Sequence, residues 1–537
     1  MFINRLNIKL TMKMAGKTHE VPAGNIKNLE LRLRSYGFEA ELDFWLVSQK
    51  SESEDKLYAD FIKDDLITVK LTVDRTFDKV GSETDTLEIN GLVEHKTLGE
   101  RAFHDLAGAP VLHRHYLIKF RDRAAVLWSQ HRPVQVFAEQ TLKKVIDDHK
   151  PAGLTLTHDW SASGTKYPVL SVGVGADPDA SNFYDYLAWL GEQNGIGLFM
   201  DLKTGKYTLS DKKPAVKANI PLPEGDIELL NVEFPPTPRH AVRVLNGYSE
   251  AGTKQKDVAN KQAVAKVRQD RLLIAPVASD VTNRTKAEKT GLVAPDPELR
   301  IIFDRYPSVT LRPNLVYNFS DGWSDRVHHR KGKFRTCSVD IIAHAENQGA
   351  TDDSDNDSNT YEIEVTAHLE PKASKRFAQP PHRRPHWPFY VEGKIVSEVG
   401  KKEELTYQAT KNKKTSLEFY TVLIPLWNQK VIVPYNPGQF SGHFYFPAYK
   451  DERVLLAIDH DRAWIKRFLD WRPGARLPAE GQGNHLLLGK KDADQTSIRH
   501  VYDDAKPVLT IERTMAKDTQ VIEVSEGTIF LRTKEED

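Results

Sequence analysis

Apolar and polar residues alternate in short runs over residues 420–471, and Pro and Gly cut the runs apart. Val422, Ile424 and Leu426 fall on one face of a strand and Val431 and Val433 on the next. Pro434, Pro437, Gly438 and Gly442 mark turns, and 454–458 and 465–469 supply two further strands. Strands this short leave no room for crossover helices, so the pattern predicts a closed OB-type barrel over 389–473 rather than a parallel sheet.

The same period of two fills the N-terminal part. Residues 28–33, 39–46, 66–73, 86–93 and 115–120 each read as half-buried antiparallel strands, predicting one barrel or sandwich over about 1–125. The period then changes. Phe137, Leu142, Val145 and Ile146 recur at helical spacing and predict a helix over 136–149. Phe183, Tyr186, Leu187 and Leu190 predict a second over 182–194, with Ser181 as N-cap, Gly195 as C-cap and a hairpin over 196–211 behind it. These make a helix and hairpin region over about 126–225. Strand patterns return over 226–370 as a second barrel, with two polar interruptions. Residues 250–269 suit a surface helix or a flexible insertion, and 347–360 a solvated loop. Stacked prolines over 371–388 predict a stiff, extended linker with the main boundary near 385.

The tail, 476–537, holds only short β segments. One chain's worth of such strands is too narrow to enclose a core. Burying Leu509, Ile511, Val521, Ile522, Val524, Ile529 and Leu531 against two other copies meets both the core and the exposed-edge problem, so a homotrimer is expected. The fold class that follows is mainly β with a minor α+β part: a hub of two barrels with inserted helices over 1–385, an OB-fold barrel, and an intertwined trimeric β-helix or prism.

Charge narrows the partners. Lys plus Arg and Asp plus Glu both total 75, a net charge of zero, so nothing draws the chain to nucleic acid or an anionic membrane surface. The single cysteine, Cys337, cannot form an internal disulfide and reads as a small strand residue. No run has the length of a secretory signal or a membrane span, so export without the Sec route is expected.

Candidate chemistry is sparse. His113 and His115 have the i, i+2 spacing of a metal pair, but no carboxylate or Cys joins them locally. Asp353, Asp355, Asp357, Asn359 and Glu364 fall at ligand offsets of a calcium loop, yet its sixth position is Ser358 rather than Gly, and a solvated loop fits the flanking strands better. His328, His329, Arg330 and Lys331 form a short basic patch that reads as a wet turn. Asp503 and Asp504 are adjacent, so they face opposite ways on a strand and do not suit glycosidase chemistry. No nucleophile-elbow, zinc-protease, P-loop or dinucleotide motif is present, so neither catalysis nor a cofactor is expected.

The order of these parts carries a resemblance. A barrel, HYLIKF, the VFAEQTLKKVIDDH segment, FYDYLAWLGEQNGIGLFMD with KYTLSD, the IPLWNQ to FLDW barrel with FPAYKDERVLLAI, and a tail opening on SIRHVYDD together resemble the VgrG-type spikes of type VI secretion. They are similar also to the hub-and-spike proteins of contractile phage tails and extracellular contractile injection systems. Lys450 stands where that family has Gly, and Asp459-His460-Asp461 where it has Gly-Asp. The resemblance implies a non-enzymatic homotrimer, assembled in the bacterial cytoplasm. Its two barrels per chain would cap a hexameric tube, with baseplate proteins around it, a separate PAAR-type tip protein, and a target membrane to puncture on firing. The rival readings are a trimeric receptor-binding tail fibre, an OB-type oligosaccharide or nucleic-acid binder, and a hydrolase without a recognised motif. The second needs a basic groove, whereas residues 420–471 hold six Lys or Arg against five acids.

Overall fold

Alternating burial builds six antiparallel strands from the N-terminal part: β1 (Arg5–Met14), β2 (Ile26–Arg34), β3 (Gly37–Ser48), β4 (Thr68–Arg75), β5 (Leu87–Phe103) and β6 (Val111–Arg121). Leu6, Ile8, Leu10 and Met12 of β1, Leu29, Leu31 and Leu33 of β2, and Val69, Leu71 and Val73 of β4 all point inward. Six strands do not close the ring. Two more come from far downstream, β7 (Lys333–Ala345) and β8 (Asn359–Pro371), giving the order β7-β2-β3-β6-β5-β4-β1-β8 with β8 returning to β7.

The computed structural model describes residues 5–48, 55–75, 86–103, 111–177, 181–215, 220–222, 224–248, 251–273, 278–292, 296–319, 332–396, 406–407, 409–411, 418–434, 448–469, 483–491 and 494–535. They fall into two units. The first comprises Met1–Pro133, Ile146–Gly164 and Asp177–Pro385, and the second Val134–Val145, Thr165–Ala176 and His386–Asp537.

In the first unit the β7–β8 hairpin serves two ladders. Residues Ser338–His344 of β7 pair with β2, while its start, Lys333–Arg335, pairs with strand Val316–Asn318. On β8, Asn359 and Thr360 pair with β1, and Val365–Leu369 pair with strand Glu298–Phe303, which in turn pairs with Ile227–Glu233. Each hairpin strand has 13 residues, roughly 40 Å of backbone, long enough for both. The region expected as a second barrel therefore shares a wall with the first. The polar stretch 250–269 departs from a helix or flexible insertion. Strands Gln255–Val258 and Arg268–Leu273 flank Ala241–Asn246, held by a small core of Val244 and Val281 and by an Arg243–Asp257 ion pair of 2.8 Å.

The loop 347–358 is organised by a buried lysine. Lys27 Nζ donates to the carbonyls of Gly24 (3.0 Å) and Asp352 (2.8 Å), and its side chain is only 1% exposed. Burial lowers its pKa, while Asp352, Asp353 and Asp43 act in the opposite direction. Around it the Gly24 N–H donates to Asn356 O, the Asp355 N–H to Asn25 Oδ1, and Tyr361 Oη to Ala23 O. A Cβ on Gly24 would lie 1.8 Å from Asp353 O, so only glycine fits.

Two helical expectations shift. Residues 136–149 form a strand, Gln135–Thr141, followed by a short helix, Leu142–Asp148, instead of one helix. The strand pairs with Lys166–Val172. Glu139 turns left-handed (φ 54°), and the helix begins where Thr141 Oγ1 accepts from the Lys144 N–H. Helix α2 (Phe183–Asn194) is capped by Asn182, not Ser181, in a reciprocal box with Asp185, and ends at left-handed Gly195. An earlier helix, α1 (Arg123–Ser129), is capped by Asp122 and was not legible from spacing. The Pro-rich segment is fastened down: Gln379 Nε2 donates to Ile196 O, and the Arg383 N–H to Asp185 Oδ1.

The second unit centres on strands Phe389–Ile395, Glu418–Ile424, Gln429–Pro434, Arg453–Ile458 and Ala463–Phe468, around a core that includes Tyr420, Val422, Ile424, Val431, Val433, Leu456 and Ile458. Val136 and Val169 complete that core from the hairpin far upstream. Leu426 departs from the alternation: it sits in the turn after Ile424 and is 70% exposed. The turn residues Pro437, Gly438 and Gly442 lie outside the described residues.

Lys27→Met leaves two buried carbonyls unsatisfied and should cost about 2–4 kcal/mol in urea unfolding. A change below about 0.5 kcal/mol, the level of an ordinary surface substitution, would show that the lysine does not organise the loop.

Candidate functional site: the uncovered face of the tail sheet

Five strands make the tail: β9 (Asn484–Lys491), β10 (Asp494–Asp503), β11 (Lys506–Met515), β12 (Asp518–Ser525) and β13 (Thr528–Lys534). Each pairs with the next in sequence, through turns whose residues sit at positive φ: Asp504 and Ala505, Ala516, and Gly527. Asp503 thus ends β10 and Asp504 occupies the turn.

The register sorts the candidate residues by face. Leu486, Ile498, Ile511, Ile522 and Leu531 lie opposite one another in one row, and His500, Leu509, Val524 and Ile529 in the next. This face stays open within the chain: Ile529 is 72% exposed, Leu531 71%, Ile522 43% and Val524 40%. Val521 is different. It pairs with Glu512 and Arg532 and belongs to the opposite face, because a neighbouring position on a strand always points the other way. A continuous apolar face on a single-layer sheet has no chemistry to perform. Its physical capacity is association.

The other candidates are dispersed. Asp353 and Asp355 have left-handed backbones in the Lys27 loop, while Asn359 and Glu364 lie in β8, Glu364 opposite Ile342 of β7. Asn347 Nδ2 donates to Asp353 Oδ2. The structure does not gather the calcium offsets into one cage, and no group of three or more acidic, His or Cys side chains close enough to hold a metal occurs among the described residues. His113 and His115 both lie on β6. His115 stacks on Trp45 (4.6 Å between centroids) and lies 3.4 Å from Asp43, and burial together with Arg101 lowers the His113 pKa. Burial pushes the Cys337 thiol far up, which keeps it protonated. The basic patch 328–331 lies outside the described residues.

A histidine pair escaped the sequence reading because its members are remote. His131 Nε2 and His149 Nδ1 lie 3.0 Å apart, under Phe183 and beside Trp128, whose Nε1 donates to His149 O. Burial lowers both, and His149, also repelled by His131, falls to about 4.

No protein-family model matches the chain, and no curated protein sequence does. Solved structures do. A chain of the Francisella PdpA–VgrG complex in its half-lidded form superposes with a TM-score of 0.74 at 14% identity, covering 99% of this chain and 88% of that one. In the lidless PdpA–VgrG complex the TM-score is 0.74 at 13% identity, covering 99% and 98%. The lidded Francisella form gives 0.73 at 13% identity, covering 99% and 80%. The chain has a VgrG-like fold. The VgrG-like likeness runs through hub, barrel and tail together, since nearly the whole chain is covered, and it rests on backbone architecture rather than on shared residues.

His149 makes stability depend on acid. Its folded pKa lies below the unfolded value near 6.5, so the unfolded chain binds the extra proton and stability falls as pH drops from about 6.5 towards 4. Discounted for solvent screening, the loss is about 1–2 kcal/mol. His149→Gln should flatten that slope in denaturant titrations between these two values, and an unchanged slope would assign the acid sensitivity elsewhere.

Proposed function

We propose that the chain is the structural hub and spike of a contractile injection machine. In this reading it is a homotrimer whose paired barrels cap a hexameric tube, with the tail as the needle that meets a target membrane when the sheath contracts. The observation that carries the reading is the open apolar face of β9–β13, on a chain whose whole length follows a VgrG-like fold. Each fully buried side chain of this size contributes about 1.5–3 kcal/mol, so three copies closing on one another have ample driving force without any other ligand. If the second group of strands completes a barrel like the first, three chains supply six such faces, the number a hexameric tube presents.

The role is mechanical rather than catalytic. Strands paired along their length resist peeling, because a force along the axis must break many backbone hydrogen bonds together. Baseplate proteins around the hub and a PAAR-type protein on the tip complete the set of partners. Assembly takes place in the bacterial cytoplasm, and the particle carries the chain outward.

Sedimentation of the full chain should give the mass of three copies. Ile522→Asp with Leu531→Asp should give one copy with the same circular dichroism, because both positions are exposed in the single chain and such changes alter its own stability by about 0.5 kcal/mol or less. A monomeric wild type at micromolar concentration would sink the spike reading. Images of the parent particle that place the chain at the baseplate rim rather than on the tube axis would favour a receptor-binding fibre instead.

A further inference from the structure

A groove of about 440 Å³ opens in the first unit between the outer face of β1, β4 and β5 and the hairpin Gly197–Ser210, with α1 at one end. Its walls hold three cations, Lys13, Lys70 and Arg123, and no carboxylate. That is unexpected for a chain of zero net charge whose outer strands pair their charges closely, as Arg32 does with Glu39 and Lys119 with Glu41.

The sheet register explains the arrangement. Thr11 lies opposite Lys70 and Lys13 opposite Thr68 on one face of the β1–β4 ladder, and Lys70 is followed across the next ladder by Asn90. Two ammonium groups thus sit on a diagonal with two hydroxyls between them. Arg123 enters from the first position of α1, half-buried, and its Nη1 would lie 3.1 Å from a Cβ on Gly153. Gly153 and Gly205, both at positive φ, keep that wall low. Thr155 and Thr204 add further hydroxyls at the rim.

The acids nearby do not neutralise the groove. Lys70 is 3.1 Å from Glu88, which leaves Lys13 and Arg123 with no ion-pair partner among the described residues. Asp201 is turned to the backbone, where its Oδ1 accepts from the Lys203 and Thr204 N–H groups. A half-buried guanidinium with no counter-charge among the described residues, in a groove that also holds hydroxyls, is an arrangement suited to an oxyanion, since an unpaired charge withdrawn from water is costly. Two cations uncompensated among the described residues and a third partly compensated match a multiply charged phosphate better than a single carboxylate. The groove is also larger than a bare phosphate requires and falls in the range of small-molecule sites.

We propose that this groove binds a phosphorylated small polyol, such as a sugar phosphate. The phosphate lies between Arg123 and Lys13, and the polyol hydroxyls against Thr11, Thr68, Asn90 and Thr155. The inference is independent of the spike reading, because every residue it uses belongs to the first unit of one chain.

Isothermal titration of the full chain with glucose 6-phosphate, inorganic phosphate and glucose tests it. Glucose 6-phosphate should bind saturably at one site per chain and more tightly than either of the others. Arg123→Gln and, separately, Lys13→Gln should each weaken it on the order of tenfold, the worth of one charged hydrogen bond. Lys119→Gln, outside the groove, should change nothing. Lys13 is exposed, so its variant keeps the test valid if the Arg123 variant misfolds. No saturable binding, or binding that both groove variants leave within about twofold, a scatter of less than 0.5 kcal/mol, would overturn the proposal. Inorganic phosphate binding as tightly as glucose 6-phosphate would overturn the role given to the hydroxyls.

Discussion

The backbone hydrogen bonds of the β7–β8 hairpin are what the first unit depends on. Neither the barrel nor the strands beyond it have an independent wall there. The first uses the half of the hairpin nearest its tip, and the second group of strands uses the half nearest its base. A strand edge left unpaired in either place would expose a row of N–H and C=O groups, so displacing the hairpin opens both at once. The Lys27 loop lies at the tip of that hairpin and fixes it to the start of β2. The tether is electrostatic and uses a cation belonging to the chain itself.

The loop that carries the first of the calcium-like acids is thus built around a charge of the chain's own. Asp352 and Asp353 lie around a positive charge, but it is an ammonium on a neighbouring strand, which donates hydrogen bonds to the carbonyl oxygens of Gly24 and Asp352. The acids of the loop are local to it, while Asn359 and Glu364 belong to β8. The loop's counter-charge lies more than three hundred residues away, where no local pattern can reveal it.

What the chain reveals locally and what it hides divide along the same line. Period-two alternation located most of the strands, from 28–33 in β2 to the tail, because burial on one face imposes it residue by residue. Gly195 was legible as a C-cap because only a left-handed residue ends α2 there. The pairing partners were not legible. Nothing in residues 1–121 announces that their barrel is completed by 333–371, and nothing in 134–145 or 165–176 announces a place in the core of the second unit. The helix expected over 136–149 failed for a related reason: Val136 and Phe137 answer to a strand partner at 170–171, and only the residues after Thr141 are free to follow their helical spacing. Among the tail residues, six of the seven expected at the interface share one face. Val521 shows the limit of choosing by hydrophobicity alone, since parity, not side-chain type, decides the face.

The closing hairpin also has a temporal meaning. In the tail every strand meets its immediate successor, so the sheet zips from local contacts. In the hub, β1 must wait for β8 and β2 for β7, the most distant pairings the chain contains in that unit. Contacts of such long sequence separation form slowly, and β1 and β2 carry open edges until they do. During synthesis the first barrel stays incomplete until residue 371 has left the ribosome. Through most of translation the first barrel is an unfinished sheet whose edges need protection, and it closes only when the hairpin arrives.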